Sequence, residues 1–185
     1  MRLETERMTL RPFEAGDEPF ILELLNDPGW IRFIGDRNIR TLQDAGGYIS
    51  RIVKAQERFG FSLLRVALKD DTPIGMCGLI KRDNFEDVDI GFAFMPAWRG
   101  QGYARESAEA VRDYAVEVLG LERVVAFTDV ENHASGKLLE QFQERYARPG
   151  TAPPRESIRA SKLATRNAQF FALAENLGWV PSEQE

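Results

Sequence analysis

Histidine and cysteine are nearly missing from this chain: among 185 residues there is one of each, His133 and Cys77. A lone cysteine closes no internal disulfide, and one histidine with one cysteine assembles no Cys/His metal cluster, so no metal is expected. Cys77 lies in the apolar run Ile74 to Ile80 and reads as a buried strand residue. No apolar run approaches the roughly 20 residues that a membrane span needs. The opening MRLETERMTL is charged where a signal peptide would be apolar, so a cytoplasmic protein with no membrane partner is expected. An excess of positive charge is also lacking. The net charge of −5 argues against nucleic acid as a partner bound through a basic face.

What is present fits one soluble domain with a full core: 43% hydrophobic and 29% charged residues over a length suited to a single domain. Arg7 to Phe13 alternates as a short strand would, and Asp17 precedes Phe20, Ile21, Leu24 and Leu25 at helical spacing. Asn26-Asp27-Pro28-Gly29 stops that helix, leaving Trp30, Ile31, Phe33 and Ile34 in a loop-like stretch. Thr41 with Asp44 three residues on is a capping-box start for a second helix ending near Gly60. Phe61 to Leu68 and Thr72 to Ile80, separated by Lys69-Asp70-Asp71, predict an antiparallel hairpin. Asp87 to Met95 is the next strand, with Val88, Ile90, Phe92 and Phe94 on one face and Gly91 suggesting a bulge or a close backbone approach. Ala104, Ala108, Val111, Ala115 and Val118 then mark a helix, Arg123 to Asp129 a strand, and Asn132 to Phe142 another helix.

After Phe142 the character changes. Residues 143–166 hold three prolines and a local charge of +4, as a loop or insertion would, before residues 167–185 resume helical spacing through Phe170, Phe171, Leu173, Ala174 and Leu177. Leu177-Gly178-Trp179 is followed by only a few residues.

Between the strand at Asp87 to Met95 and the helix that follows lies Arg99-Gly100-Gln101-Gly102-Tyr103-Ala104. Two glycines where a strand turns into a helix suit an anion, because the first backbone N–H groups of a helix have no intrahelical partner and glycine permits close approach. The turn lacks the Lys-Ser/Thr of a P-loop, and no β-α-β unit precedes it, which weighs against a nucleotide-binding module.

DVDIGFAFMPAWRGQGYARES, followed by a strand and then ENHASGKLLE, resembles the GNAT acyl-CoA N-acyltransferases, in particular their RimJ/RimL-like branch. The residues from Arg99 to Ala104 match that superfamily's Q/R-x-x-G-x-G/A signature, and the likeness covers roughly Arg7 to Phe142, including the opening TLRPF pattern. The resemblance implies an α/β fold with a mixed, mostly antiparallel sheet and helices on both faces, here with an atypical C-terminal segment. It divides the chain into a core at 1–142, an insertion at 143–166, and a C-terminal helix and tail at 167–185 of the same domain.

The resemblance implies transfer of an acetyl group from acetyl-CoA to a primary amine by direct attack, with a small molecule or a peptide N-terminus as acceptor. It assigns the CoA diphosphate to Arg99, Gly100, Gln101, Gly102, Tyr103 and Ala104, and the pantetheine arm to Ile90, Phe92, Phe94, Met95 and Asn132. Asp89 is the candidate proton acceptor, with Asp87, Glu86 and His133 behind it, and Ser135 is the candidate partner of the leaving sulfur. Each has a plainer reading: solvated strand carboxylates, a surface histidine, and local backbone bonding at a helix start for Asn132 and Ser135. Trp30, Arg32 and Phe33 are candidates for the acceptor-side loop. Two departures from the family pattern stand out. Leu139 occupies the place where many relatives carry a tyrosine, and the Leu-Gly-Trp turn comes only after the insertion, so the closing strands are expected to be lost, replaced or supplied by another subunit of a homodimer. A non-catalytic acyl-CoA-binding or regulatory protein is the alternative reading.

Overall fold

A computed structural model describes residues 1–83, 87–146 and 168–175. Seven strands form one sheet in sequence order: β1 (Leu3–Glu4), β2 (Met8–Pro12), β3 (Leu63–Leu68), β4 (Pro73–Lys81), β5 (Val88–Phe94), β6 (Arg123–Asp129) and β7 (Ala168–Glu175). Every neighbouring pair is antiparallel except β5 and β6, which run parallel. A parallel connection requires a crossover, and α4 (Tyr103–Asp113) supplies it. The expected mixed, mostly antiparallel α/β fold is present.

Helices cover both faces because the strands between them are apolar on both sides. Val88, Ile90 and Phe94 of β5 pack with Val124 and Ala126 of β6 against Ala108 and Val111 of α4 and against Leu139 and Phe142 of α5 (His133–Tyr146). Met76 of β4, with Ala93 and Met95, meets α1 (Glu18–Leu25), α2 (Pro28–Phe33) and α3 (Leu42–Phe59) on the other face. Cys77 is fully buried within the sheet, and burial pushes its thiol up to about 12, which makes it inert rather than reactive.

Several expectations need correction. The segment expected to be a C-terminal helix is β7 over Ala168–Glu175, paired antiparallel with β6 from Asp129↔Ala168 to Arg123↔Glu175. Its alanines raise helix propensity, but pairing along the otherwise open edge of β6 and burial of Phe171 and Leu173 at a spacing of two override it. One closing strand is therefore supplied by this chain. α5 continues four residues past Phe142 to Tyr146, whose ring packs at 5.6 Å from that of Phe142. Residues 147–167 and 176–185, with the proline-rich stretch and Leu177-Gly178-Trp179, lie outside the described residues.

No bulge occurs at Gly91: the β4–β5 register runs evenly from Gly75↔Phe94 to Lys81↔Val88. A Cβ at Gly91 would come within 2.8 Å of Ile80 Cδ1, so the glycine makes room for a side chain rather than a backbone. The stretch expected to be a loop after Asn26 contains a short helix, α2, whose N-cap Asp27 accepts from Trp30 N–H at 2.9 Å. Beyond Asp113 the crossover helix widens to a π turn over Tyr114–Val118, and Leu119 N–H donates to Tyr114 O. The widening rotates Val118 off the apolar stripe, leaving it 66% exposed.

Candidate active site

Parallel pairing between β5 and β6 is confined to Val88↔Val124 and Asp89↔Val125, although β5 continues to Phe94 and β6 to Asp129. Past Asp89 the two strands diverge, and a slot opens between them. Met95 N–H donates to Ile74 O of the β4 side at 2.9 Å, which fixes the alternation of β5. Residues of the same parity as Met95 turn their backbone groups to β4, and Ile90, Phe92 and Phe94 turn theirs to the β6 side. The Phe94 carbonyl confirms this, accepting from Arg99 Nε at 2.8 Å on the side away from β4.

The glycine turn stands at the open end of the slot. Gly100 and Gly102 adopt φ values of +72° and +85°, which glycine reaches without the strain other residues incur. Gly102 is the N-cap of α4 and provides no side-chain cap, so the first-turn amides keep their donors. Nothing lies within 4 Å of where a Cβ of Gly100 would be. An uncapped helix start behind two left-handed glycines suits a diphosphate, and the residues present fit the CoA group that the sequence pattern implies.

Arg99 does not extend toward that turn. Its guanidinium folds back to Phe94 O and to the buried Asp27, with Arg99 Nη2 donating to Asp27 Oδ2. Only its backbone remains with the turn. Met95 also stands apart from the other strand candidates, since its N–H serves β4 and its side chain packs against the α1–α3 core.

Asp89 marks the closed root of the slot and is 2% exposed, not a solvated strand carboxylate. Arg82 holds it with a fork, Nε to Oδ1 at 2.7 Å and Nη2 to Oδ2 at 3.1 Å, and the Arg82 guanidinium also stacks 4.7 Å from the Phe127 ring. Burial raises the Asp89 pKa, and the hydrogen bonds and charge of Arg82 only partly oppose it. Asp87 instead pairs with Arg123 at 3.4 Å, and Glu86 lies outside the described residues. Arg82 escaped sequence reasoning because it follows β4 with no motif around it. The only available signal was that a buried acid on β5 requires a cation nearby.

Asn132 and Ser135 sit beyond the far end of β6. Asn132 Oδ1 accepts from Ser135 N–H at 3.3 Å, so Asn132 caps α5. His133 is exposed. Thus the glycine turn and the start of α5 share one end of the parallel strands, while Asp89 lies at the root on the α1–α3 face. Of the acceptor-side candidates, Trp30 is buried in the core, whereas Arg32 is exposed and reaches Glu131 of the β6–α5 turn at 3.3 Å. A separate cavity of about 690 Å³, lined by Asp17, Phe20, Arg65, Met95 and Trp98 among others, lies off the slot.

Comparison with known proteins finds relatives of this sequence and fold. The family model described as acetyltransferase (GNAT) domain matches residues 7–143. An uncharacterized N-acetyltransferase of Bacillus subtilis, YnaD, is 27% identical over 78% of this chain and 83% of its own length. The crystal structure of an acetyltransferase from Agrobacterium tumefaciens superposes with a TM-score of 0.67 at 28% identity, covering 76% of this chain and 81% of that one. RimL, a ribosomal L7/L12 α-N-protein acetyltransferase solved with coenzyme A, superposes with a TM-score of 0.66 over 76% of this chain and 82% of its own; at 16% identity it shares the fold.

Proposed function

The chain belongs to the acetyltransferase (GNAT) domain family, whose general reaction moves an acetyl group from acetyl-CoA to an amine, and from that premise we propose how its own residues carry the transfer. The observation that carries the reading is the slot: parallel pairing ends at Asp89↔Val125, and the uncapped glycine turn follows the other end of β5. Acetyl-CoA, when bound, supplies an activated acyl thioester. The amides of Gly100 to Ala104 hold its diphosphate, the backbone of Ile90 to Phe94 and the Asn132 amide flank the pantetheine arm, and Phe92 N–H, turned into the slot, is the donor for the thioester oxygen.

The amine enters from the α1–α3 face, toward Asp89. An acceptor amine is protonated near neutral pH and must lose a proton before attack, while the departing thiolate must gain one. Asp89 takes the first proton through water: each carboxylate oxygen retains a lone pair beyond its bond to Arg82, and burial strengthens its hold on a proton. Ser135 Oγ hydrogen-bonds the leaving sulfur. Attack is direct, and the acceptor is a small-molecule amine or a peptide N-terminus.

Release of free thiol from acetyl-CoA, followed with a thiol reagent across a panel of amines and peptides, tests this reading. Amine-dependent thiol release is expected. Tight CoA binding with no amine-dependent release across the panel would favour a binding or regulatory protein instead.

A further inference from the structure

The other helix start with a full side-chain cap shows what α4 lacks. At α3, Thr41 Oγ1 accepts from Asp44 N–H at 3.1 Å and Asp44 Oδ2 accepts from Thr41 N–H at 2.9 Å, so the first-turn carboxylate serves the helix's own free donors. α4 also carries an acid in its first turn, Glu106. Left alone, that carboxylate would turn to the free amides of its own turn and repel an incoming anion.

Glu106 does neither, because Arg7, in the turn just before β2, intervenes. Arg7 N–H donates to Glu106 Oε1 at 3.0 Å and Arg7 Nε to Glu106 Oε2 at 2.6 Å, across 99 residues of sequence. The same guanidinium donates from Nη1 to Gln101 O at 3.0 Å and lies 4.3 Å from the Tyr103 ring centroid. Its Nη2 is 3.2 Å from where a Cβ of Gly102 would be. Burial alone would raise the Glu106 pKa, yet hydrogen bonds from Thr5 and Arg7 together hold it below its usual value, so the carboxylate is charged.

We propose that Arg7 is a donor-side positioning residue: it turns the Glu106 charge away from the first turn of α4 and clamps the Gln101 carbonyl, leaving the amides of Gly100 to Ala104 free for a diphosphate. The inference rests on the CoA reading of that turn. A residue that merely tied the N-terminal strand to α4 would need the Glu106 pair alone. Arg7 instead contacts Gln101, Tyr103 and Glu106, which together span the phosphate turn and the first helical turn.

The test is CoA binding by calorimetry, with thermal melting of each ligand-free protein beside it. Arg7→Met is expected to weaken CoA on the order of tenfold, as befits a misplaced charge beside an anion site. Adding Glu106→Gln to Arg7→Met should recover most of that loss, because the repelling charge is gone. Recovery separates a charge-positioning role from a structural one, since the double variant has lost every contact of the Arg7 side chain and keeps only the main-chain N–H that faces position 106. An Arg7→Met protein that binds CoA like the wild type, or a double variant no better than the single one, overturns the inference. If the ligand-free melting point of Arg7→Met collapses, the comparison of Glu106→Gln with wild type decides: tighter CoA binding supports the charge role, and weaker binding overturns it. No CoA binding by the wild type overturns the donor-site reading and this inference with it.

Discussion

Arg99 and Asp27, 72 positions apart, are joined by a charged hydrogen bond of 2.5 Å between the glycine turn and the N-cap of α2. The same Asp27 Oδ2 accepts from Trp30 N–H. At its other end, Arg32 of α2 reaches Glu131 after β6. α2 is therefore tied to the ends of both strands that flank the slot.

Asp27→Asn keeps an oxygen for the α2 cap but loses the charge facing Arg99, whereas Asp27→Ala loses both. The asparagine variant is expected to cost about 2 kcal/mol in urea unfolding, as for a hydrogen bond to a charged group. Alanine should cost about 1 kcal/mol more, the usual value of a cap. Equal stability of both variants and the wild type would remove the tie from the account.

The two glycines of the turn make separable predictions. Gly100→Ala and Gly102→Ala each place a Cβ at positive φ and should each lower stability by about 1 kcal/mol. Only the second also presses on Arg7, at 3.2 Å, while the first faces no protein atom within 4 Å. A mutant melting series that showed no cost at Gly100 would mean that the turn does not require its left-handed conformation.

Thr41→Ala removes one half of the capping box of α3 and should cost about 1 kcal/mol, read from the unfolding midpoint. This cap was legible in the sequence because its partners are three residues apart. β6 was legible for a similar reason: Arg123 to Asp129 is rich in β-branched residues and occupies the same limits in the structure. The glycine turn could be read because strand, turn and helix follow one another locally. What could not be read depends on distant partners. The burial of Asp89 is set by Arg82 and its neighbours, the orientation of Arg99 by Asp27, and the charge balance at α4 by Arg7; no spacing rule links these pairs.

Asp89 carries the pH prediction. Its native pKa is raised above the unfolded value of about 3.9. The folded protein thus holds the proton more tightly than the unfolded chain, and the stability contributed at low pH is lost as pH rises through the native pKa. Relative to wild type, Asp89→Asn should gain stability over that interval. A titration followed through the Asp89 carboxyl carbon by NMR should give a midpoint above the ordinary aspartate range, and Arg82→Met should move it higher still, since Arg82 opposes the shift. A midpoint at or below the ordinary value would exclude burial as the controlling effect.

β7 decides whether the slot has a stable outer wall. Without it, β6 would be paired at only two positions on the β5 side and open along its other edge, a poor arrangement for a strand that must hold its place. Leu173 anchors the pairing, fully buried in the same core as Val124, Ala126 and Leu139. Leu173→Ala deletes three buried carbon atoms and should cost about 3 kcal/mol. The loss should be local as well as global: amides of β6 from Val125 to Asp129 should exchange faster with solvent, while those of β3 and β4 keep their protection relative to global unfolding. CoA affinity should fall with β6 protection, because the slot requires both strands. Unchanged β6 exchange in Leu173→Ala would show that β6 holds its position through β5 and the helices alone, and the wall would then owe nothing to the last strand.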